Sequence, residues 1–247
     1  MVLSSAAGEH GSEPPRQFDG HPVPADYTLM HPHNDFAHRY WSAALQAGDT
    51  VVDATLGNGH DATFLALALG RAGGGTLVCV DLQALAIERS QDHLREALDG
   101  AGWAFDAESD VARWRAIAPG SGAVLMVEWR CGCHAAALES MSARSARLVV
   151  FNLGYLPGGD KAVCTTTSTT LPALDAAQHV IQIGGTVSVT IYPGHEEGLH
   201  EETAVLEHAA ALIQGQWSVY HAQWLNQRNK RTGRRAPSLV LMQYLHD

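Results

Sequence analysis

The sequence predicts an α/β protein built on a doubly wound, mostly parallel sheet. Short apolar segments, typical of buried strands, alternate along the chain with longer segments of helical spacing. A turn containing two glycines joins the first of these strands to the helix after it. Two late strand-like segments are joined by a polar loop, which indicates an antiparallel hairpin at one edge of the sheet.

The predicted elements follow one another in a regular order. A helical stretch ends at Gln46, ahead of the first strand. Apolar runs predict strands at residues 50–54, 76–80, 124–127, 148–151, 186–192, 218–224 and 238–244. Apolar residues at helical spacing predict helices at residues 61–69, 84–98, 135–141, 169–183 and 196–213. Seven strands are therefore expected, and residues 100–122 show no clear pattern.

Length and composition indicate one globular domain. The chain has 247 residues, of which 46% are hydrophobic and 17% charged. Residues 1–27 are polar and rich in Pro and Gly, so we expect a flexible leader followed by a single domain at 28–247. The leader contains acids, which transit peptides avoid. We expect a cytoplasmic protein, or a chloroplast or mitochondrial one if the leader is the remnant of a processed targeting sequence.

The charge of the chain limits how it can bind nucleic acid. The formal net charge is −10, so a polyanion would have to be held by a local basic patch. The best candidate is a basic loop between the last two predicted strands, which contains Arg228, Lys230, Arg231, Arg234 and Arg235. The alternative is that this loop is simply a solvated hairpin.

The cysteines do not predict a metal site. The four cysteines form no Cys-x-x-Cys pair, which favours a reducing compartment. Cys131, Cys133 and His134 could be soft metal ligands, but a zinc site normally needs four ligands and no fourth is nearby in the sequence. A cysteine-containing loop that borders a small-molecule site is the favoured interpretation.

The strongest local pattern is the turn that follows the first predicted strand. Gly57 and Gly59 allow a sharp bend, and the helix behind them offers free N–H groups to a ligand. The third glycine of the dinucleotide pattern is missing, and Asp61 would repel a pyrophosphate. Asp53 adds a second carboxylate, so the site favours a cationic ligand. The alternative is a plain strand-to-helix turn.

Two later segments add polar groups at the ends of strands. Asp81 ends the second predicted strand, where a carboxylate can accept hydrogen bonds from ribose hydroxyls; the alternative is a helix cap. At the end of the fourth strand, Asn152 offers an amide oxygen to an amine and Tyr155 an aromatic face to a planar base. The alternative for that loop is a structural turn with a buried tyrosine.

These segments resemble one known family. Residues 53–61, 81–83, 151–161, 192–195 and 225–229 occur in the order typical of the small "putative rRNA methylase" family. The resemblance runs from about Asn34 to Leu245 and is strongest to members that methylate the 5-aminomethyl group of the tRNA wobble uridine. This sequence departs from the family's pattern in an apparent insertion before Cys131 and in extra basic residues before Pro237.

The resemblance implies a seven-stranded Rossmann-like methyltransferase sheet with an antiparallel edge hairpin, and S-adenosyl-L-methionine as cofactor. The expected cofactor-binding residues are Asn34, Asp53, Gly57, Asn58, Gly59, Asp61, Asp81, Leu82, Gln83, His134, Asn152 and Leu153. The expected catalytic residues are Asn152, Tyr155, Asp160 and His195, with Asp160 or His195 as proton acceptor. The expected tRNA-binding residues are Lys161, Asn226, Gln227, Arg228, Lys230, Arg231, Arg234 and Arg235. The expected partner is a tRNA anticodon loop, and a homodimer is left open.

Three other functions are left open. The Asn-Leu-Gly-Tyr loop partly resembles the Asn-Pro-Pro-Tyr loop of amino-group methyltransferases that act on adenine or glutamine, so rRNA, DNA or protein could be the acceptor. A nicotinamide-dependent oxidoreductase could use a Gly-x-Gly turn, although Asp61 argues against it. A cofactor-binding RNA partner without activity is the third, and retention of the whole 152–161 loop argues against it.

Overall fold

A computed structural model gives the fold and describes residues 17–18, 21–22, 32–106, 109–159, 163–194, 196–228 and 233–246. The chain divides into two units, Met1–Pro32 and His33–Asp247. In the first unit, β1 (Gln17–Phe18) and β2 (His21–Pro22) pair as a small antiparallel hairpin. The rest of the predicted leader lies outside the described residues. A leader at 1–27 and a single domain at 28–247 remain our proposal.

The second unit alternates helices with the strands of one sheet. The helices are α1 (Pro32–Ala44), α2 (His60–Ala72), α3 (Ala84–Gly100), α4 (His134–Glu139), α5 (Thr167–Val180) and α6 (Glu196–Ala210). The strands are β3 (Asp49–Asp53), β4 (Gly74–Asp81), β5 (Ala104–Phe105), β6 (Arg113–Ile117), β7 (Val124–Cys131), β8 (Ala146–Asn152), β9 (Ile181–Ile191), β10 (Trp217–Ala222) and β11 (Ser238–Tyr244).

The sheet has the order β10-β11-β9-β8-β3-β4-β7-β6-β5. Its five central strands, β9, β8, β3, β4 and β7, are parallel. Two antiparallel strands extend the sheet at each end, β11 and β10 on one side and β6 and β5 on the other. The predicted α/β class, the mostly parallel core and the antiparallel edge hairpin are confirmed.

The sheet has nine strands within the residues that the structure describes, so the predicted number of seven is wrong. The two additional strands, β5 and β6, come from the segment in which the sequence showed no pattern. In β6, Trp114 and Ala116 are buried, whereas Arg113 is exposed and Arg115 only partly covered. A short strand that buries only one face alternates apolar with charged residues. It therefore has no continuous apolar run that would predict a strand.

Helices cover both faces of the sheet because successive strand residues point to opposite sides. In β3, Val51 joins the core formed with α1, α2 and α3, and its neighbour Val52 joins the core formed with α4, α5 and α6. Both valines are completely buried. Burial of such a side chain contributes about 1.5–3 kcal/mol. Among the described helices, none is long and apolar enough to cross a membrane.

One boundary differs from its prediction in a way that has a simple cause. The helix predicted to run to residue 183 ends at Val180, and β9 begins at Ile181. The register of β9 against β8 shifts between Ala146 and Leu148, and Gly184, whose φ is +75°, lies in this irregular part of β9. The Gly-Gly pair therefore lies inside the strand and does not precede it.

The strand order places the functional end of the sheet. The chain leaves β3 toward β4 on one side and later returns to β8 on the other. At such a reversal the loops that follow β3 and β8 lead to opposite sides and leave a crevice at the carboxyl ends of these strands. Open α/β sheets bind ligands in this crevice.

Candidate functional site

A cavity of about 260 Å³ lies at the carboxyl ends of β3, β4 and β8. Seven of the sequence-predicted residues line it, namely Gly57, Asp81, Leu82, Gln83, His134, Asn152 and Tyr155. These residues come from four separate segments of the chain. The sheet reversal brings them to a single place, as expected for a ligand site of this fold.

The glycine turn after β3 is held from behind by α3. Gly57 and Gly59 have φ of +57° and +79°, a left-handed conformation that favours glycine. A Cβ atom at Gly59 would lie 2.8 Å from Cβ of Ser90. The buried Ser90 also donates a hydrogen bond from its hydroxyl to the carbonyl of Gly57 at 3.1 Å. Ser90 fixes the turn, and the sequence offered no signal for it.

Asp81 joins the two loops that form one wall of the cavity. Its Oδ2 accepts a hydrogen bond from the backbone N–H of Gly57 at 2.9 Å, and its Oδ1 accepts one from the N–H of Gln83 at 2.9 Å. An ionised carboxylate has about four lone-pair sites, so these two bonds leave capacity for two more. Asp81 therefore organises the start of α3 and can still accept from a ligand in the cavity.

Asp53 lies beneath the turn and is only 1% exposed. Its Oδ1 accepts a hydrogen bond from the N–H of Thr55 at 3.2 Å, and its Oδ2 has no hydrogen-bond partner among the described residues. Burial raises the pKa of Asp53 well above 3.8, the nearby Asp61 and Asp81 raise it further, and the Thr55 hydrogen bond opposes them. The neutral acid is thus favoured, and negative charge for a cationic ligand would come from Asp61.

We expect the wild type to lose stability as the pH rises and Asp53 ionises, and we expect Asp53→Asn to lack this loss. Because the folded pKa of Asp53 is raised above 3.8, the folded state binds this proton more tightly than the unfolded state. That contribution is complete below pH 3.8 and is lost as the pH rises through the raised folded pKa. In urea unfolding at a series of pH values from 3.8 upward, the free energy of unfolding of Asp53→Asn should rise relative to that of the wild type as the pH increases. A difference that did not change with pH would contradict the raised pKa.

Asn152, at the end of β8, is held on three sides. Its backbone N–H donates a hydrogen bond to Oγ1 of Thr55 at 2.6 Å, and its side-chain Nδ2 donates one to Oδ2 of Asp61 at 3.1 Å. Its side chain is also hydrogen-bonded to Tyr192, whose pKa is raised by burial and by Asp61 and lowered by that hydrogen bond. The rim of the cavity thus has an amide in a fixed position.

Asp61 connects Asn152 to helix α1. Its second oxygen, Oδ1, lies 2.8 Å from Nε2 of His38. The His38 ring stacks on Phe64, with ring centroids 3.9 Å apart. His38 was not among the predicted site residues, because its partner lies 23 positions away in the sequence.

The loop that follows Asn152 is anchored at its base by α6. Gly154 donates a backbone hydrogen bond to Oγ1 of Thr165 at 2.8 Å, and Thr165 donates in turn to Oε2 of Glu201 at 3.0 Å. Thr170 donates to the other oxygen of Glu201 at 2.6 Å. Burial raises the pKa of Glu201, which is 1% exposed. Above this base, Tyr155 is 42% exposed at the cavity rim.

The turn after β3 and the loop after β8 also touch each other. The side-chain Nδ2 of Asn58 donates a hydrogen bond to the carbonyl oxygen of Pro157 at 3.3 Å. Asn58 was predicted to bind the cofactor, and in the structure its amide links the two loops that border the cavity.

His134 and Cys133 line the opposite wall. His134 is 8% exposed, and its Nε2 donates a hydrogen bond to the carbonyl of Thr169 at 3.0 Å. Burial lowers the pKa of His134, so the neutral ring is favoured. Among the described residues, no group of three His, Cys, Asp or Glu side chains is arranged to hold a metal ion.

The basic loop lies between β10 and β11, and its described residues, Arg228 and 233–235, do not line the cavity. Its two arms pair between Arg228 and Arg235, and the guanidinium of Arg228 donates to the carbonyl of Gly233 at 3.3 Å. The guanidinium of Arg235 donates to Oε2 of Glu202 at 2.5 Å, and the Glu202 side chain is only 2% exposed. Arg235 thus has a structural partner that the sequence did not indicate.

The remaining predicted residues fall into two groups. Asp160, Lys161, His195, Lys230 and Arg231 lie outside the described residues. Asn34 lies in the first turn of α1, and Leu153 is buried with its N–H bonded to the carbonyl of Thr190. Asn226 and Gln227 are exposed, and Arg234 is half-buried.

Comparisons with known proteins add to this geometry. A family described as "Putative rRNA methylase" matches residues 77–237. A protein of Arabidopsis thaliana named "tRNA (mnm(5)s(2)U34)-methyltransferase, chloroplastic" is 32% identical over 212 residues, which are 84% of this chain and 68% of that protein.

Solved structures show the same fold. A "putative rRNA-methylase" from Clostridium thermocellum superimposes with a TM-score of 0.69 and 29% identity, over 86% of this chain and 97% of the other. A "putative methyltransferase" from Streptococcus mutans, in complex with SAH, superimposes with a TM-score of 0.64 and 26% identity, again over 86% and 97% of the two chains.

Proposed function

The chain belongs to the "Putative rRNA methylase" family and is an S-adenosyl-L-methionine-dependent methyltransferase, and we propose that it methylates the amino group of 5-aminomethyl-(2-thio)uridine at the tRNA wobble position. The product would be 5-methylaminomethyl-(2-thio)uridine. The observation that carries the proposal is the fixed amide of Asn152 at the cavity rim, beside the exposed ring of Tyr155. The name of the Arabidopsis relative supports the choice of acceptor.

The residues around the cavity fit the cofactor. Asp81 retains lone pairs for the ribose hydroxyls, and Leu82, which is 64% exposed, offers an apolar surface for the adenine. Asp61 supplies a carboxylate near the turn for the positively charged methionyl end. When bound, S-adenosyl-L-methionine supplies a methyl group on a sulfonium, which a neutral nucleophile can take.

The protein's main task is to hold a neutral amine in line with that methyl group. An aminomethyl group is largely protonated at neutral pH, so it has to lose a proton before it attacks. The oxygen of Asn152 can accept a hydrogen bond from the neutral amine, and the backbone of Leu153 can assist in its orientation. Tyr155 can pack on the uracil ring. Positioning and desolvation of this kind contribute much of the rate enhancement in a group-transfer reaction.

We propose that Asp160 or His195 accepts the proton. Asp160 belongs to the loop after β8, and His195 follows the strand beside it. A histidine can take up a proton near neutral pH. Replacement of each in turn by alanine, with turnover followed against pH, would separate the two.

The substrate would reach the cavity as an extruded base. The wobble base lies in the single-stranded anticodon loop, where unstacking costs little. The basic loop after β10 would contact tRNA phosphates, and Lys161, Asn226 and Gln227 are further proposed tRNA contacts. A second copy of the chain is a further proposed partner. The site of action would be a chloroplast or mitochondrion if residues 1–27 derive from a targeting sequence, and otherwise the cytoplasm.

The decisive experiment is mass spectrometry of tRNA nucleosides after incubation with the protein and S-adenosyl-L-methionine. Undermodified tRNA that carries 5-aminomethyl-2-thiouridine should gain one methyl group on that nucleoside. Parallel incubations with rRNA, DNA and protein test the other amino acceptors. Methylation of one of those, with tRNA unchanged, would contradict the proposed acceptor.

We expect Asp81→Ala to weaken binding of S-adenosyl-L-methionine by about 10-fold or more. A hydrogen bond to a carboxylate contributes up to about 1.5–3 kcal/mol, and two ribose hydroxyls would be affected. The variant also releases the amides of Gly57 and Gln83. Calorimetry measures the affinity, and circular dichroism checks the fold. Unchanged affinity in a folded variant would remove Asp81 from the cofactor site.

We expect the basic loop to bind tRNA and not the cofactor. Replacement of Lys230, Arg231 and Arg234 by alanine should raise the KM for tRNA and flatten its dependence on salt, by about 0.7–0.9 in the slope for each phosphate that the variant no longer neutralises. Arg235 is left in place because it holds Glu202. The control is Arg113→Ala, which removes an exposed arginine near the opposite edge of the sheet and should leave the KM for tRNA unchanged. An unchanged KM across a salt series would show that tRNA docks elsewhere.

A further inference from the structure

We propose that His38 is a positioning residue for methyl transfer, which acts through Asp61 to fix the amide of Asn152 with its oxygen available to the acceptor amine. The inference rests on the proposed function, because it concerns an amine acceptor. It assigns a role to His38 of helix α1, in which the sequence had predicted Asn34 as a site residue.

Asp61 determines the orientation of the Asn152 amide. An ionised carboxylate can only accept hydrogen bonds, so the atom of Asn152 that faces Oδ2 of Asp61 has to be the NH₂ group. The amide oxygen must then point elsewhere. If the amide turned over, its oxygen would face a carboxylate oxygen, and an NH₂ group would be offered to the amine.

Asp61 itself has to be held if it is to orient Asn152. Its side chain is 17% exposed, so water can compete for its oxygens. His38 occupies Oδ1 at 2.8 Å, and this bond leaves Oδ2 directed at Asn152. Without a partner at Oδ1, the carboxylate would be free to rotate toward water, and the Asn152 side chain would keep only its hydrogen bond to Tyr192.

His38 lies on a rigid support. Its ring stacks on Phe64 of α2, with an angle of 13° between the two rings. The neighbouring Trp41 donates a hydrogen bond to the buried Oγ of Ser188 at 3.0 Å, and Tyr40 is hydrogen-bonded to Thr186 at 2.6 Å. Both partners belong to β9, so α1 is fastened to the same sheet that carries Asn152. His38 therefore lies on a helix that is itself hydrogen-bonded to the sheet.

The test uses two variants at one position. His38→Phe keeps a ring to stack on Phe64 and removes the N–H donor, whereas His38→Gln keeps a donor and removes the ring. We expect His38→Phe to lower kcat, measured at saturating S-adenosyl-L-methionine, by about 10–100-fold, the range for a misplaced reacting group, with the KM for tRNA unchanged within about 2-fold. His38→Gln should recover most of the lost turnover. Equal turnover of His38→Phe and wild type would overturn the inference, as would a His38→Gln variant that is no better than His38→Phe.

A second measurement separates this inference from the proposed function. The side-chain NH₂ resonances of Asn152 can be identified by NMR from their loss in Asn152→Asp. In His38→Phe these protons should exchange with solvent faster than in the wild type, at an unchanged melting temperature. If the wild type methylated no tRNA, the proposed function would be wrong, and the exchange measurement would still decide: faster exchange supports the role of His38, and unchanged exchange overturns it.

Discussion

Asn152→Ala is expected to lower kcat for tRNA methylation by about 100-fold or more, a loss typical of removing one hydrogen-bonding group that acts in the transition state. Affinity for S-adenosyl-L-methionine should change little, because the proposed partner of the amide oxygen is the acceptor amine. An interaction made mainly near the transition state affects kcat and not ground-state binding. The backbone bond from Asn152 to Thr55 survives the substitution, so β8 should still end in the same place.

Single-turnover kinetics with saturating tRNA measure the chemical step, and calorimetry measures cofactor affinity. Asn152→Asp is the informative companion, because it preserves the size of the side chain and places a carboxylate against Asp61. We expect it to be at least as slow as Asn152→Ala. A parallel loss of cofactor binding and turnover in Asn152→Ala would show that the residue faces the cofactor or supports the fold.

Arg235→Ala is expected to destabilise the folded chain. Glu202 is almost completely buried, and the Arg235 guanidinium is its ion-pair partner. Loss of one partner of a buried ion pair costs about 3–5 kcal/mol, and the cost here should fall below that range because the Arg235 side chain is 45% exposed. Burial and Arg235 lower the pKa of the nearby His221, and Glu202 raises it. The variant removes the effect of Arg235, but burial, the largest cause, still opposes a positive charge on His221.

Urea unfolding of Arg235→Ala and Arg228→Ala gives the comparison, because the exposed Arg228 side chain donates to a backbone carbonyl and not to a buried carboxylate. The first should lose clearly more stability than the second, although both remove one positive charge from the same loop. Adding Glu202→Gln to Arg235→Ala should recover part of the loss, since no buried charge is then left unpaired. Equal stability of Arg235→Ala and wild type would show that the pair contributes nothing measurable. The tRNA effect of Arg235 then has to be judged at a temperature where every variant is folded.

The central part of the site could be predicted because its residues stand directly after apolar strands. Val51 and Val52 predict β3, and Leu148 to Phe151 predict β8, so the polar residues that end those strands were identified with them. A strand buried on both faces has an unbroken apolar run, which is the clearest pattern a sequence offers.

The supporting residues could not be predicted in the same way. His38, Ser90 and Glu201 each act on a partner that is distant in the sequence, at separations of 23 from His38 to Asp61, 33 from Ser90 to Gly57 and 36 from Glu201 to Thr165. Each lies on a helix where a histidine, a serine or a glutamate is an ordinary residue. Their roles depend on how helices pack on the sheet, which helical periodicity does not specify.

The hydrogen bond from Asn58 to Pro157 connects the turn that would hold the cofactor to the loop that would hold the base. If the two ligands are coupled through this contact, each changes the affinity of the other by the same coupling free energy, because binding coupling is reciprocal. Binding of the methyl donor to the turn would then change the affinity of the loop for the extruded base. Conversion of the donor to its demethylated form would change that affinity again, and product release would be linked to the state of the cofactor.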